Sequence, residues 1–366
     1  MKISVVVGTR PELIKMAVFI TELKRMNSTN LYIHSGQHYD YHMDGMVADI
    51  FQLPEADYNL GVGSGSHANT TANIMIKMEE IIVNEKMDLL VVHGDTNTTL
   101  AACLAAAKLS IPIAHVEAGL RSRDPSMPEE INRILVDHMS TFRFAPTQEA
   151  VENLKKEGIV YGVYLVGQSI VDAIDYIKNM KTINNVLNKY ELEKQSYFFL
   201  TIHRQENTDN PTRLSSIFSA MHALTKDYNH QLVISMHPRT KKILLQQNML
   251  QSLFQNKRIT LLDPPPNFYE TIQLQQHAKL VITDSGGLQE ESCIIGTPCI
   301  TLRENTERPE TVECGANILA GYQKGKILLA VEESLASSPS WNHPYGLEGV
   351  SMRMLDILTK NKSDEY

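Results

Sequence analysis

The pattern that most restricts the fold of this chain is an alternation. Short runs rich in β-branched and aliphatic residues, "KISVVVG", "NLYIHSG", "DLLVVHGD", "IPIAHVEAG", "FRFAPT" and "VYLVGQS", are separated by stretches of helical period such as Pro11 to Met26, Asn97 to Leu109 and Pro128 to Met139. Continuous apolar runs belong to strands covered on both faces, so the pattern predicts a parallel sheet wrapped by helices. After a polar, low-glycine stretch, "KTINNVLNKYELEK", it restarts with "SYFFLTIH", "QLVISMH", "RITLLD", "KLVITDSGG" and "TPCITLRE". No residue-level repeat relates the halves. The reading is an α/β chain of two doubly wound, Rossmann-like domains, spanning residues 1–170 and 171–348, with a linker near residues 168–195. A last helix within 349–366 is assignable to either, and a crossing back to the first domain is one option.

Length and charge agree with this division. A chain of 366 residues exceeds what one ordinary core organises. Its 43% hydrophobic and 21% charged residues are those of a globular protein, and its net charge of −8 argues against nucleic acid and anionic membrane as partners. Cys103, Cys293, Cys299 and Cys314 form no C-x-x-C pair, and three of them sit among apolar neighbours, as packing thiols do in a reducing compartment. The opening "MKISVVVGTRP" has neither a long apolar segment nor a signal-peptide pattern, so a cytoplasmic protein is expected.

The polar residues are concentrated where such a fold binds ligands. Gly8-Thr9-Arg10, Gln37-His38, Asp95, His115-Val116-Glu117, His203-Arg204, His237, Asp284-Ser285 and Arg303 all follow a predicted strand. Open α/β sheets take their ligands beyond the carboxyl ends of the strands. In "VITDSGGLQEE", Ser285, Gly286 and Gly287 form a turn into a helix expected to begin near Leu288. Glycines admit a close ligand, and a helix N-terminus attracts phosphate, so the turn reads as a diphosphate seat. Glu290 and Glu291 would then lie in the first helical turn, either stabilising the helix end or receiving ribose hydroxyls.

Other cofactor patterns fit poorly. No G-x-G-x-x-G follows the first strand and no G-x-x-x-x-G-K-[ST] occurs, which sets aside bound NAD and P-loop chemistry. Arg10 and Lys15 read either as cations for a phosphate or as a salt-linked helix start. "HVE" at His115 to Glu117 matches H-x-E of zinc deaminases without their P-C-x-x-C, and H-E-x-x-H is absent, so no catalytic metal is assigned. Asp95 reads as acid or as a cap for the helix near Asn97, and Glu129 and Glu130 as acids or as first-turn residues after Pro128. Glu117 differs, because an acid between an apolar strand and Ala-Gly is costly unless paired or working. Arg121 and Arg133 are its candidate counter-ions. Such a cluster suits proton transfer on a nucleotide-linked substrate.

Together "GTRPELIK", "HGDTNTTLA", "HVEAGLRS", "PEEINR", "TIHRQEN", "DSGGLQEE", "TERPE" and "HPYGLEG" resemble, in order and through nearly the whole chain, the non-hydrolysing UDP-N-acetylglucosamine 2-epimerases. The resemblance implies two domains of the GT-B type facing across a cleft that holds UDP. It also implies interconversion of UDP-N-acetylglucosamine and UDP-N-acetylmannosamine without NAD, by anti elimination of UDP to a 2-acetamidoglucal and re-addition. By the same resemblance Asp95, Glu117 and Glu129 are the acid/base candidates, His203 assists the leaving diphosphate and Arg133 steers the sugar. Arg10, Lys15, Ser285, Gly286, Gly287 and Glu291 would hold the nucleotide, with Phe268 or Tyr269 against the base and His237 nearby. A homodimer built through first-domain helices and a part in cell-surface polysaccharide biosynthesis are implied too.

One stretch departs from the family. Members activated by UDP-N-acetylglucosamine at a second site usually carry "QHR" followed by Gln or Glu and Met, whereas this chain reads "GQHYDYHM", so such activation is not expected. That stretch and "GSGSHANTTANIM" also resemble relatives acting on UDP-2,3-diacetamido-glucuronate or UDP-linked talosamine sugars. A GT-B glycosyltransferase shares the fold and nucleotide seat but has no use for three first-domain carboxylates around C2. A hydrolysing epimerase is disfavoured by the intact "GTRPE" and "HRQEN".

Overall fold

The computed structural model describes residues 1–37, 41–180, 186–228, 230–246, 255–337 and 340–360. His38, Tyr39 and Asp40 of the departing stretch, and residues 181–185 of the expected linker, lie outside the described residues. The chain separates into two units, Met1–Asn179 with Tyr345–Tyr366, and Met180–Pro344.

The first unit holds a seven-stranded sheet in the order β3-β2-β1-β4-β5-β6-β7. Its strands are β1 Ile3–Val7, β2 Leu31–His34, β3 Tyr58–Asn59, β4 Leu89–His93, β5 Ile113–Val116, β6 Phe142–Ala145 and β7 Val163–Leu165. All pair in parallel. The second unit has six parallel strands in the order β10-β9-β8-β11-β12-β13. These are β8 Tyr197–Thr201, β9 Gln231–Ser235, β10 Ile259–Leu262, β11 Leu280–Thr283, β12 Cys299–Thr301 and β13 Asn317–Leu319. The runs read as strands are strands, and β1, β4 and β5 are buried along their whole length as two-sided coverage requires. Edge strands β3 and β13 have no counterpart among the predicted runs. At two and three residues they are too short to carry a pattern.

Each sheet reverses its strand order once, between β1 and β4 and between β8 and β11. Crevices for ligands form at such points. Close packing at the first of them is visible at Gly8, where an added Cβ would lie 2.1 Å from Thr98 Oγ1 and 2.3 Å from Ser35 Oγ.

The helices differ from the sequence reading at the division between units. Residues 170–179 are not a linker. The helix Ile170–Asn179 buries Ile170, Val171, Ala173, Ile174 and Ile177 and packs on the helix Arg10–Met26, so the first unit runs to residue 179 rather than 170. On the far side, Val186, Leu187 and Leu192 enter a core of the second unit with Tyr197, Phe199 and Val281. The last helix, Val350–Lys360, belongs to the first unit. It is held there by Asp172, whose carboxylate accepts from the backbone N–H groups of Gly349 at 2.7 Å, Val350 at 3.0 Å and Ser351 at 2.7 Å, serving donors that a helix start leaves open. All four cysteines are free thiols, with Cys103, Cys293 and Cys299 buried. Among the described residues, no helix is long and apolar enough to cross a membrane.

Candidate active site

In the first unit, the ends of β1, β4 and β5 gather a charged cluster. Thr9 starts the helix Arg10–Met26, and Glu12, three residues later, completes a capping box. Glu12 accepts from the backbone N–H of Gly8 at 2.6 Å and of Thr9 at 2.9 Å, while its other oxygen accepts from Thr96 Oγ1 at 2.6 Å. It thereby ties the turn after β1 to the turn after β4. Burial pushes its pKa up to about 7, against the pull of the Thr96, Gly8 and Thr9 hydrogen bonds.

Asp95 follows β4, but it is not a helix cap. Thr96 caps the helix Asn97–Lys108, accepting from Thr99 N at 3.3 Å. Asp95 is free of that duty and pairs with Arg133 at 2.5 Å. Burial raises the pKa of Asp95, Arg133 opposes that, and Glu117 and Glu129 add to it. Glu129 is half-buried in the first turn of the helix Pro128–Met139. Its neighbour Glu130 has a structural task, accepting from Ser122 N and Arg123 N at 2.9 Å and from Arg133 at 2.8 Å. Burial pushes Glu130 up, but those bonds hold its pKa below the ordinary range.

Glu117, at the end of β5, is only 9% exposed and is paired. Its partner is neither Arg121 nor Arg133, as expected from sequence, but Lys15 of the Arg10–Met26 helix. Arg121 is engaged by Asp137 at 2.7 Å and Glu157 at 2.6 Å, and Arg133 by Asp95 and Glu130. His93 Nε2 stands 3.7 Å from the Glu117 carboxylate. Burial lowers the pKa of His93 to about 4, so the ring is neutral near pH 7; Glu117 opposes that shift and Lys15 adds to it. Arg10 is exposed at the helix start. Gln37 is buried, its side-chain oxygen accepting from Thr98 N at 3.0 Å and Thr98 Oγ1 at 2.8 Å.

In the second unit, Asp284 after β11 organises the turn after β8. Its carboxylate accepts from His203 N and Arg204 N at 3.0 Å and from Asn207 Nδ2 at 3.1 Å. Burial raises its pKa, yet the contacts with His203 and Asn207 win and hold it below the usual carboxylate range. The His203 ring lies 3.3 Å from Asp284 and 5.8 Å, centre to centre, from that of His237. Ser285 is the N-cap of a helix that runs Gly286–Ile295, two residues earlier than the sequence indicated. Gly286 and Gly287 are therefore its first turn and Glu290 and Glu291 fall in the second. The reading of these acids as helix-end stabilisers is lost, since the dipole effect fades within one turn. Glu291 accepts from Gln275 Nε2 at 2.6 Å, and buried Glu290 lies 3.7 Å from Arg308. Arg303 after β12 pairs with Glu307 at 2.6 Å and Glu206 at 2.9 Å. Burial raises the Glu307 pKa but Arg303 and then Arg204 bring it down to about 2. Phe268, half-buried, opens the helix Phe268–His277 with Tyr269 beside it.

Glu12, His93, Asp137 and Glu307 were not singled out from sequence. The Thr9-x-x-Glu12 spacing was a usable signal for the first; His93 was absorbed into the run read as β4. Among the described residues, no group of three or more His, Cys, Asp or Glu is arranged to hold a metal ion.

These features define a class, a doubly wound α/β protein with acids at the strand ends of one sheet and a glycine-led helix start after a strand of the other. Comparison with known proteins narrows the class. A family model described as UDP-N-acetylglucosamine 2-epimerase matches residues 21–359. The UDP-N-acetylglucosamine 2-epimerase of Methanocaldococcus jannaschii is 45% identical, over 99% of this chain and 100% of that one. The Pseudomonas aeruginosa UDP-2,3-diacetamido-2,3-dideoxy-D-glucuronate 2-epimerase is 37% identical, over 98% of this chain and 100% of that one. A crystal structure of the M. jannaschii enzyme in complex with UDP-GlcNAc and UDP superposes with a TM-score of 0.85, covering 98% of this chain and 100% of that one at 45% identity. The chain belongs to the UDP-N-acetylglucosamine 2-epimerase family, a family of isomerases.

Proposed function

We propose that this protein interconverts UDP-N-acetylglucosamine and UDP-N-acetylmannosamine by inverting C2, without NAD. The observation that carries the reading is the pair of carboxylates, Glu117 and Asp95, at the ends of neighbouring strands β5 and β4, each held by its own cation. The full-length likeness to a relative that bears this activity in its name supports it.

The chemistry needs more than one acid. No carbonyl lies beside C2 to acidify its hydrogen, so cleavage of the C1–O bond leads, and the electron pair leaves with UDP. The C2–H proton passes to a carboxylate, and the C2–H electrons form the double bond of a 2-acetamidoglucal. A proton then returns to C2 on the opposite face, and the UDP oxygen re-adds at C1. Asp95, Glu117 and Glu129 are the acid/base groups of this reading. Lys15 pairs with Glu117, and Arg133, which pairs with Asp95, steers the sugar end. His203, braced by Asp284, assists the departing diphosphate. Ser285, Gly286 and Gly287 hold it by the helix start, with Arg10, His237, Glu291 and Phe268 as further nucleotide contacts. The protein acts in the cytoplasm as a homodimer and supplies activated sugar to cell-surface polysaccharide assembly.

The Glu117→Gln variant tests this. It is expected to bind UDP as wild type does and to lose conversion of UDP-N-acetylglucosamine, followed by chromatography of the nucleotide sugars. Conversion at the wild-type rate removes Glu117 from the chemistry. The P. aeruginosa likeness supports a second substrate, a 2,3-diacetamido UDP-uronate, and faster turnover of that sugar in the same assay would favour it.

A further inference from the structure

Glu117 has a backbone conformation that a glutamate avoids. Its φ is 70°, in the left-handed region where a side chain crowds the following carbonyl, and such residues persist only where their surroundings over-determine them. Among the described residues, the other non-glycine residues with positive φ are Gln52, Lys86, Ser110, Arg123, Glu191 and Gln195. All six are exposed, whereas Glu117 is buried at the end of a central strand. Something must hold it there.

The holding group is on another element. Asp137, fully buried on the helix Pro128–Met139, reaches both sides of the strained residue. One of its oxygens pairs with His115 Nδ1 at 2.6 Å, two residues before Glu117. The other accepts from the backbone N–H of Gly119 at 3.1 Å, two residues after it, and from Arg121 at 2.7 Å. His115 in turn donates through Nε2 to the carbonyl of Gly94 at 2.9 Å, and Gly94 N donates to Val116 O at 3.0 Å, so the turn carrying Asp95 is tied into the same network. Gly119 leaves no room for a side chain, since a Cβ there would lie 2.2 Å from the carbonyl oxygen of Ala150, and its own carbonyl accepts from Asn153 Nδ2 at 3.1 Å. The Glu117 side chain is thereby presented to Lys15.

We infer that Asp137 is a positioning residue for the reaction: through His115 and the Gly119 amide it fixes the strained turn that aims the Glu117 carboxylate. Asp137 itself touches none of the acid/base groups. The inference rests on the reading of Glu117 as one of those groups.

Asp137→Asn keeps the side-chain shape but leaves one acceptor oxygen where two served His115, the Gly119 amide and Arg121, and it removes the charge that pairs with Arg121. In full-length protein that unfolds cooperatively, kcat is expected to fall on the order of 100-fold, the scale of a misplaced reacting group. KM and UDP affinity stay close to wild type, and the amide resonances of Ala118 and Gly119 shift. His115→Gln, which can still donate to Gly94 O but loses Asp137, is expected to show the same split, and it stands in if Asp137→Asn does not fold. A folded variant with wild-type kcat, or one that loses UDP binding in step with kcat, overturns the inference. Glu117→Gln is measured alongside: if it too turns over normally, the acid/base reading has failed. If it is inactive while Asp137→Asn is not, only the positioning role has failed.

Discussion

Glu12 shows what a single buried acid does to the whole chain. Its pKa is raised from 4.5 to about 7 because the carboxylate has been taken out of water. The folded state therefore holds the proton more tightly than the unfolded state. The stability from this group is fully present below pH 4.5 and is lost as pH rises through about 7, by about 3 kcal/mol in all. Glu12→Gln has no such slope. Between pH 4.5 and 7 the denaturant midpoint of the variant should rise steadily relative to wild type, whereas parallel curves would mean that Glu12 keeps its ordinary pKa. The same scale shows what sequence can and cannot tell. Glu117 was legible as a special acid because it ends an apolar strand. Its counter-ion was not, since Lys15 lies 102 residues away and only the pairing of β1 with β4 and β4 with β5 brings the two together.

Among the elements, legibility followed the length and regularity of the apolar pattern. The central strands announced themselves as unbroken runs, and the helix Pro128–Met139 has the bounds its period and Pro128 indicated. The helix Gly286–Ile295 begins two residues before its sequence indicates, because glycines read as turn. That small slip changed the meaning of Glu290 and Glu291, which moved out of the dipole's reach. The helix Ile170–Asn179 was hidden by the polar stretch that follows it, although its apolar face is buried. On the outward face of the helix Pro128–Met139, Ile131 is 52% and Leu135 45% exposed. On the helix His67–Glu85, Ile76 and Val83 are exposed as well. Apolar residues of this size on first-unit helices are the surface through which the proposed homodimer would form. Light scattering should return twice the 41.2 kDa chain mass, and Ile131→Lys should shift it toward one chain. A wild-type monomer would rule the dimer out.

For the whole molecule, the two sheets were legible from the restart of one alternating pattern, and family membership from motifs that follow one another in order. Each sheet reverses once, and Arg10, Asp95, His203 and Ser285 stand after the strands beside those reversals. The proposed reaction has the carboxylates at β4 and β5 exchange the proton at C2 of a UDP-sugar. Proton NMR of UDP-N-acetylglucosamine with the purified protein in D₂O tests it directly. Deuterium is expected to enter C2 while a UDP-N-acetylmannosamine signal grows. UDP-N-acetylglucosamine that keeps its C2 proton and gives no second UDP-sugar would contradict it.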